Sequence, residues 1–208
     1  VSSFYTYQGD YPKDLAPFHM DMKGLPNLTD RISSRTVSFM YRGNQYEITY
    51  EINENMVTFG ELYPQTEIPI YFSSPVSIEA ERSLLAGLRT LVSDMAEEEA
   101  GNLLLRFVQT GFDYQTDDAQ FGKEKPMFVE ETLYYPYSDC EDRSVLFAYL
   151  IQELLGLDVV GLEYPGHIAT AVNFTEFVDG DSVQLHSERY VICEPTYINA
   201  TAGMSMPM

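Results

Sequence analysis

The sequence contains no tryptophan, only two cysteines and only three histidines among 208 residues. Two cysteines cannot form the network of disulfides that holds small secreted domains together. The three histidines lack the spacing of zinc ligands, so we predict no metal site and no cofactor. Without tryptophan, aromatic surfaces must come from the 16 tyrosines and 12 phenylalanines.

Positive charge is also scarce. Lys and Arg total 12 against 32 Asp and Glu, which gives a formal net charge of −20. Such a surface repels phosphate backbones and argues against a nucleic-acid partner. No apolar run approaches the length of a membrane span, and no signal peptide is recognisable. Because the chain opens at Val1 rather than Met, we expect a processed or excised piece of a longer protein. An extracytoplasmic location is then open, and nothing indicates the oligomeric state.

The N-terminal third is predicted to be a small β-rich portion over residues 1–75. Residues 1–30 have no sustained hydrophobic period, which indicates an irregular arm. Residues 35–52 contain two β-rich runs around a turn at 42–45, which predicts a hairpin. The prolines in 60–72 favour an edge strand or an extended segment.

Residues 76–208 are predicted to form the core of an α+β fold. One helix starts after Ser77, and a second opens at a capping box made by Asp94 and Glu97. Residues 113–137 read as a long polar loop. After Gly156, four short β-branched-rich runs follow, and the three hairpin-like links between them predict an antiparallel sheet. Helices followed by such strands are typical of α+β proteins.

The stretch YSDCEDRSVLFAYLIQELLG, residues 137–156, predicts a helix that begins next to a cysteine. Ser138 and Glu141 have the form of a capping box, apolar residues follow at helical spacing, and Gly156 ends the pattern. Cys140 therefore falls at about the second helical position. There, unpaired backbone N–H groups and the positive end of the helix dipole favour a thiolate.

Two further residues complete a set that could activate this thiol. His167 opens a strand after a Pro-Gly turn, and Glu194 ends a later strand before a proline. A thiol nucleophile needs a base to take its proton, and the base needs a third group to fix its tautomer. Residue types alone are a weak signal, because any chain of this size offers some Cys, His and Glu; a buried thiol, a strand-end histidine and a surface carboxylate are the alternatives.

The segment SDCEDRSVLFAYLIQELLGLDVVGLEYPGHIATAVNF, followed by YVICEPTY, resembles the transglutaminase-like superfamily of papain-related thiol enzymes. That family has a Cys followed by an acidic pair and a small residue, then a His leading a strand, then a strand ending in Asp-Pro-Thr. Cys140 with Glu141, Asp142 and Ser144, then His167, then Glu194-Pro195-Thr196 match these three blocks. The resemblance covers about residues 95–205.

The resemblance implies a papain-like α+β core, in which the Cys helix packs on an antiparallel sheet. It implies Cys140 as nucleophile, His167 as general base and Glu194 as orienting carboxylate, in acyl transfer through a thioester. A peptide or protein substrate is expected. We expect hydrolysis rather than crosslinking, because nothing in the sequence identifies a second approach for an amine.

The sequence departs from the family pattern at two points. Glu194 replaces the usual Asp and lengthens the arm by one methylene, which can still hold an imidazole Nδ1–H. The missing tryptophan removes the indole donor near the oxyanion. The remaining donors are the Cys140 backbone N–H and a side chain of the preceding region: Gln109, Tyr114 or Gln120.

Two other functions remain open at this point. One is a non-catalytic transglutaminase-like module that binds peptide or glycan or serves as a scaffold. The other is a redox-sensing thiol protein, which needs Cys140 and Cys193 within disulfide reach. Because Cys193 alternates with Glu194, we expect it to face the core as a reduced thiol. The tyrosines of 131–137 fit loop packing and a substrate cleft equally well.

Overall fold

The computed structural model describes residues 22–206 of the chain. Residues 1–21, most of the predicted arm, lie outside the described residues, and 22–31 contain no helix or strand. None of the described helices has the length and apolar character that crossing a membrane requires. The described elements, in chain order, are β1 (Ile32–Tyr41), β2 (Asn44–Asn53), α1 (Glu54–Leu62), α2 (Ile68–Phe72), α3 (Ile78–Val92), α4 (Glu97–Gly111), β3 (Asp113–Tyr114), α5 (Asp117–Phe121), α6 (Val129–Tyr134), β4 (Tyr137–Ser138), α7 (Cys140–Leu155), β5 (Val159–Tyr164), β6 (His167–Val172), β7 (Ser182–Leu185) and β8 (Glu188–Cys193).

The predicted hairpin at 35–52 is confirmed, with longer strands. β1 and β2 pair antiparallel from Ile32 opposite Asn53 to Tyr41 opposite Asn44. The turn consists of Arg42 and Gly43, whose φ angles are 48° and 80°. Two positive φ angles in a two-residue loop match the right-handed twist of the strands, which explains the glycine at the second position.

Of the two alternatives predicted for 60–72, the edge strand is wrong, and residues 63–67 between α1 and α2 belong to no helix or strand. This region contains the end of α1 and all of α2. The Asn53 side chain accepts a hydrogen bond from the Asn55 N–H at 3.1 Å and so caps α1. Pro69 lies in the first turn of α2, where its missing N–H removes no helical hydrogen bond.

The helix after Ser77 is confirmed as α3, with the Ser77 hydroxyl accepting from the Ala80 N–H at 3.4 Å. The second capping box is wrong, because α4 begins at Glu97 with Ala96 as its N-cap residue. Residues 113–137 are not a plain loop. They contain two short helices and two short strands that pair in parallel, β3 with β4.

The C-terminal strands form one antiparallel sheet in the order β5-β6-β8-β7, which confirms an antiparallel sheet in an α+β protein. Two of the three predicted hairpin links are present, β5–β6 and β7–β8. The link containing Gly180 is different, because β6 pairs with β8 and places β7 at the edge. A Cβ atom on Gly180 would lie 2.4 Å from the carbonyl oxygen of Gly203, so only glycine fits there.

One cluster of buried side chains joins the hairpin, the helices and the sheet. Hairpin residues such as Phe39 and Tyr50 share it with Phe107 of α4 and Phe147 of α7. The division of the chain at residue 75 stays a prediction. A hydrogen bond links helix α7 to β6: the Ser144 hydroxyl donates to the Ile168 carbonyl at 3.0 Å. The first turn of α7 therefore lies beside the start of β6.

Candidate active site

The N-terminus of α7 differs by one residue from the prediction. Asp139 is the N-cap residue, so Cys140 is the first helical residue. The reciprocal acid is Asp142, whose carboxylate accepts from the Asp139 N–H at 3.2 Å and from the Met127 N–H at 2.7 Å. Glu141 is thereby left free to face Cys140. The Cys140 N–H belongs to the first turn of the helix, where backbone donors have no intrahelical acceptor.

His167 and Glu194 form a direct pair. The His167 Nε2 lies 2.9 Å from Glu194 Oε2, and the Glu194 residue is only 2% exposed. The pair uses Nε2, which corrects the expected Nδ1 contact and leaves Nδ1 as the nitrogen that could take a thiol proton. The imidazole also stacks on the ring of Tyr164, with centroids 6.3 Å apart.

Gln109 anchors the segment that carries Glu194. Its side-chain amide nitrogen donates to the carbonyl oxygens of Glu194 at 3.0 Å, Tyr197 at 2.9 Å and Ala200 at 3.1 Å. Its amide oxygen accepts from the Asn199 N–H at 3.3 Å. The two N–H groups of the amide already have these three acceptors. In this arrangement Gln109 is therefore not available as an oxyanion donor, although the sequence made it a candidate.

Cys140 and His167 line the same cleft, which has a volume of about 420 Å³. Tyr114 also lines it and is 52% exposed, so it is the oxyanion candidate that lies beside the thiol. Gln120 does not line this cleft, and its Oε1 is buried without a hydrogen-bond partner among the described residues. Within residues 22–206, no hydrogen bond joins the Cys140 sulfur to the His167 ring. The thiol instead donates to Glu141 Oε2 at 3.1 Å.

Arg143, which sequence reasoning missed, holds Tyr114 near the helix. The residue is 1% exposed, and its guanidinium donates to the Phe112 carbonyl at 2.7 Å and to the Ser138 hydroxyl at 3.1 Å. Its terminal carbon lies 5.4 Å from the centroid of the Tyr114 ring. A basic residue within the predicted helix was visible in the sequence, but its burial was not.

The thiol is in an environment that disfavours its charge. Burial raises the pKa of Cys140 to about 12, with Glu141 adding to the rise through its hydrogen bond and its negative charge. A backbone hydrogen bond from Ile168 offsets a part of this. The expectation that the helix N-terminus favours a thiolate is thus outweighed by desolvation and by a neighbouring carboxylate.

Carboxylates surround the cleft beside the thiol, and the described residues that line it include neither Lys nor Arg. Burial raises the pKa of Asp117 to about 6. Burial and neighbouring carboxylates also raise the pKa of Asp139. Much of this acidic lining comes from the segment that the sequence presented as a polar loop. The carboxylate side chains are Asp117, Asp118, Glu124, Asp139, Glu141 and Glu163.

A second cavity of about 600 Å³ is lined by both His167 and Glu194. Tyr164, Ile192 and Met206 contribute to its lining, together with the pair itself. His167 and Tyr164 therefore border both the acidic cleft and this cavity. The tyrosines of 131–137 line neither of the two.

Cys193 is a free thiol and is 1% exposed, in agreement with the predicted reduced and shielded side chain. It belongs to the hydrophobic cluster, whereas its neighbour Glu194 reaches His167. Cys140 is also free, so no disulfide joins the two cysteines.

Comparisons of the chain with protein-family models, with curated proteins and with solved structures give no match.

Proposed function

We propose that the chain is a thiol-dependent acyl-transfer enzyme of transglutaminase-like type with a papain-like core, which hydrolyses amide or peptide bonds. The observation that carries the proposal is the 2.9 Å contact between His167 Nε2 and Glu194 Oε2, made at the wall of a cleft that Cys140 also lines. A buried carboxylate that fixes an imidazole beside a thiol is the arrangement that nucleophilic catalysis requires.

In the proposed reaction, Cys140 attacks the carbonyl carbon of the substrate amide while His167 takes the thiol proton. The carbonyl π electrons move to oxygen, where the Cys140 backbone N–H and Tyr114 are available as donors. As the oxyanion collapses, the C–N bond breaks and His167 gives its proton to the leaving nitrogen. Water, deprotonated by His167, then attacks the thioester and releases the acid and the free thiol.

The burial of the thiol agrees with a base that acts only during the reaction. With the pKa of Cys140 raised to about 12 by burial and by Glu141, the resting sulfur is protonated. His167 must therefore act as a general base on a neutral thiol, not as the partner of a preformed thiolate.

One observation favours the non-catalytic alternative. The Cys140 thiol donates to Glu141 Oε2, and within the described part of the chain no hydrogen bond links it to His167. A thiol held in that position serves as a packed polar group in a binding or scaffold module. This alternative predicts that neither His167 nor Glu194 influences the reactivity of Cys140.

A cysteine-directed electrophile, such as an acyl-mimicking chloromethyl ketone, tests the proposal. We expect stoichiometric labelling of Cys140 in the parent and in Cys193→Ser, which is the matched control because that thiol is buried. Labelling should be lost in Cys140→Ser and reduced at least about tenfold in His167→Ala, as expected for a general base. Equal labelling rates in the parent and in His167→Ala would contradict the enzyme and favour the binding module.

A further inference from the structure

The two carboxylate oxygens of Glu194 have different partners. Oε2 contacts His167 Nε2 at 2.9 Å, and Oε1 accepts a hydrogen bond from the Met206 backbone N–H at 3.3 Å. Because Glu194 is only 2% exposed, its carboxylate depends on protein groups for hydrogen bonds that water would otherwise supply. The imidazole and the Met206 N–H thus hold the carboxylate from both of its oxygens.

The second contact matters because of the length of the glutamate arm. Glu194 stands where the family pattern has Asp, and its side chain has one more rotatable bond. Every side-chain torsion must be fixed if the carboxylate is to keep one orientation towards the imidazole. The Gln109 amide holds the backbone carbonyl of Glu194 at 3.0 Å, but this bond leaves the side-chain torsions free. A donor to the far oxygen restrains them.

Met206 reaches Glu194 because the chain before it is bonded to the sheet and to Asp181. The Gly203 N–H donates to the Ile192 carbonyl at 2.8 Å, and the Asp181 N–H donates to the Gly203 carbonyl at 2.9 Å. Two residues later, Ser205 donates both its N–H, at 3.3 Å, and its hydroxyl to Asp181 Oδ2. Asp181 therefore holds the chain at the residue directly before Met206.

We propose that residues 203–206 form a positioning segment for the catalytic pair. The Met206 N–H fixes the Glu194 carboxylate, and Asp181 fixes Met206 through Ser205. Met206, Ser205 and Asp181 are positioning residues, because they act on the reaction through Glu194. The inference rests on the proposed function, since it assigns the segment a role in orienting His167 as general base. If the carboxylate were mobile, the imidazole would lose its fixed orientation towards the thiol.

The competing explanation is that the segment serves only the second cavity. Met206 contributes to the lining of that cavity together with Tyr164 and Ile192. The two roles depend on different atoms of residue 206. Positioning of Glu194 requires the backbone N–H, whereas lining of the cavity requires the methionine side chain.

Two substitutions at residue 206 separate these atoms. Met206→Ala removes most of the side chain and retains the N–H, whereas Met206→Pro removes both. The rate of Cys140 labelling by the chloromethyl ketone is measured over a range of its concentrations. We expect the maximal rate in Met206→Pro to be at least about fivefold lower than in Met206→Ala, at an equal half-saturating concentration. Equal maximal rates in the two variants overturn the proposal.

Asp181→Ala tests the other end of the segment without a change in residues 203–206. Asp181 is exposed, so the midpoint of thermal unfolding should shift by less than about 3 °C. The maximal labelling rate should nevertheless fall at least about threefold, because Ser205 loses its acceptor. Asp179→Ala is the matched control, since it makes the same change at an exposed carboxylate two residues earlier, and it should keep the rate of the parent. Equal rates in these two variants overturn the proposal, whether or not Met206→Pro folds.

His167→Ala distinguishes failure of this inference from failure of the proposed function. If His167→Ala is labelled as fast as the parent, the thiol does not depend on the imidazole, and the proposed function and the positioning role fail together. If His167→Ala is labelled slowly while Met206→Pro and Met206→Ala are labelled equally fast, only the positioning role fails.

Discussion

Gln109 allows a sharp distinction between a structural and a catalytic role. The sequence offered it as an oxyanion donor, but the structure has its amide bonded to four backbone groups in the segment after β8. Gln109→Met keeps a chain of similar length and removes all four hydrogen bonds. The residue is 1% exposed, so water cannot replace the lost amide at its own position.

The expected loss can be worked out from the four partners. The carbonyls of Glu194 and Ala200 are in buried contacts, and each lost bond there leaves an acceptor unsatisfied at about 1 kcal/mol or more. The contacts to Tyr197 and Asn199 are partly buried, so solvent recovers some of their free energy. Together we expect the free energy of unfolding to fall by about 3 kcal/mol.

Urea unfolding followed by circular dichroism measures this change. The control is Gln152→Met, the same substitution at an exposed position of α7, for which we expect a change within about 0.5 kcal/mol. The slope of the transition should stay constant in both variants. If Gln109→Met unfolds like the control while labelling of Cys140 by an acyl-mimicking electrophile slows, Gln109 acts on the reaction and the anchoring role is refuted.

Three further predictions concern the thiol and its supports. Glu194→Gln should slow labelling of Cys140 because the imidazolium loses its counter-charge, whereas Glu194→Asp should retain more of the labelling rate. If Glu194→Gln is labelled as fast as the parent, Glu194 has only a structural role. Glu141→Gln should speed iodoacetamide alkylation measured from about pH 7 to pH 10, because Glu141 raises the pKa of Cys140 and its neutralisation shifts the rate profile to lower pH. An unchanged profile would assign the shift to burial alone. Ser144→Ala removes the hydroxyl bond to the Ile168 carbonyl and should lower the free energy of unfolding by about 1 kcal/mol, and an unchanged urea midpoint would speak against that link.

The parts of the fold that could be predicted are those determined by neighbouring residues. The hairpin follows from alternation around Arg42 and Gly43, and α3 follows from Ser77 before a helical period. In these cases the cap or turn residue and the hydrophobic period indicate the same element. The prediction of an edge strand at 60–72 was wrong because proline has two interpretations. It disfavours a central strand, but it also suits the first turn of a helix, as at Pro69.

The arrangement of the sheet could not be predicted from local pattern. Turn residues near Gly180 signal a change of direction, but they do not say which strand comes next in space. In the fold, β6 pairs with β8 and packs against α7, and Gly180 closely approaches Gly203, and all of these contacts join residues distant in sequence. The pairing of His167 with Glu194 follows from this order, because it brings the start of β6 to the end of β8.

The sequence indicates which residues form the candidate site, but not the acidic and buried surroundings of the thiol. Cys140, His167 and Glu194 were singled out, and the last two are in contact. The acidic lining was missed because Asp117 and Glu124 are distant in sequence from Glu141, and only the folded segment 113–137 brings them together. The position of Cys140 at the start of a helix follows from neighbouring residues in the sequence. Its desolvation depends on which distant residues pack around it in the fold.

This difference explains why a helix N-terminus is insufficient to activate the thiol here. The dipole and free N–H groups favour negative charge at Cys140 by a modest amount, typically about 1 kcal/mol, and water screens the effect where the turn is exposed. Burial acts on the same sulfur in the opposite direction, and Glu141 adds a full charge at hydrogen-bond distance. Burial and the Glu141 charge together outweigh the helix dipole, so the sulfur rests protonated, and in the proposed reaction its proton passes to His167.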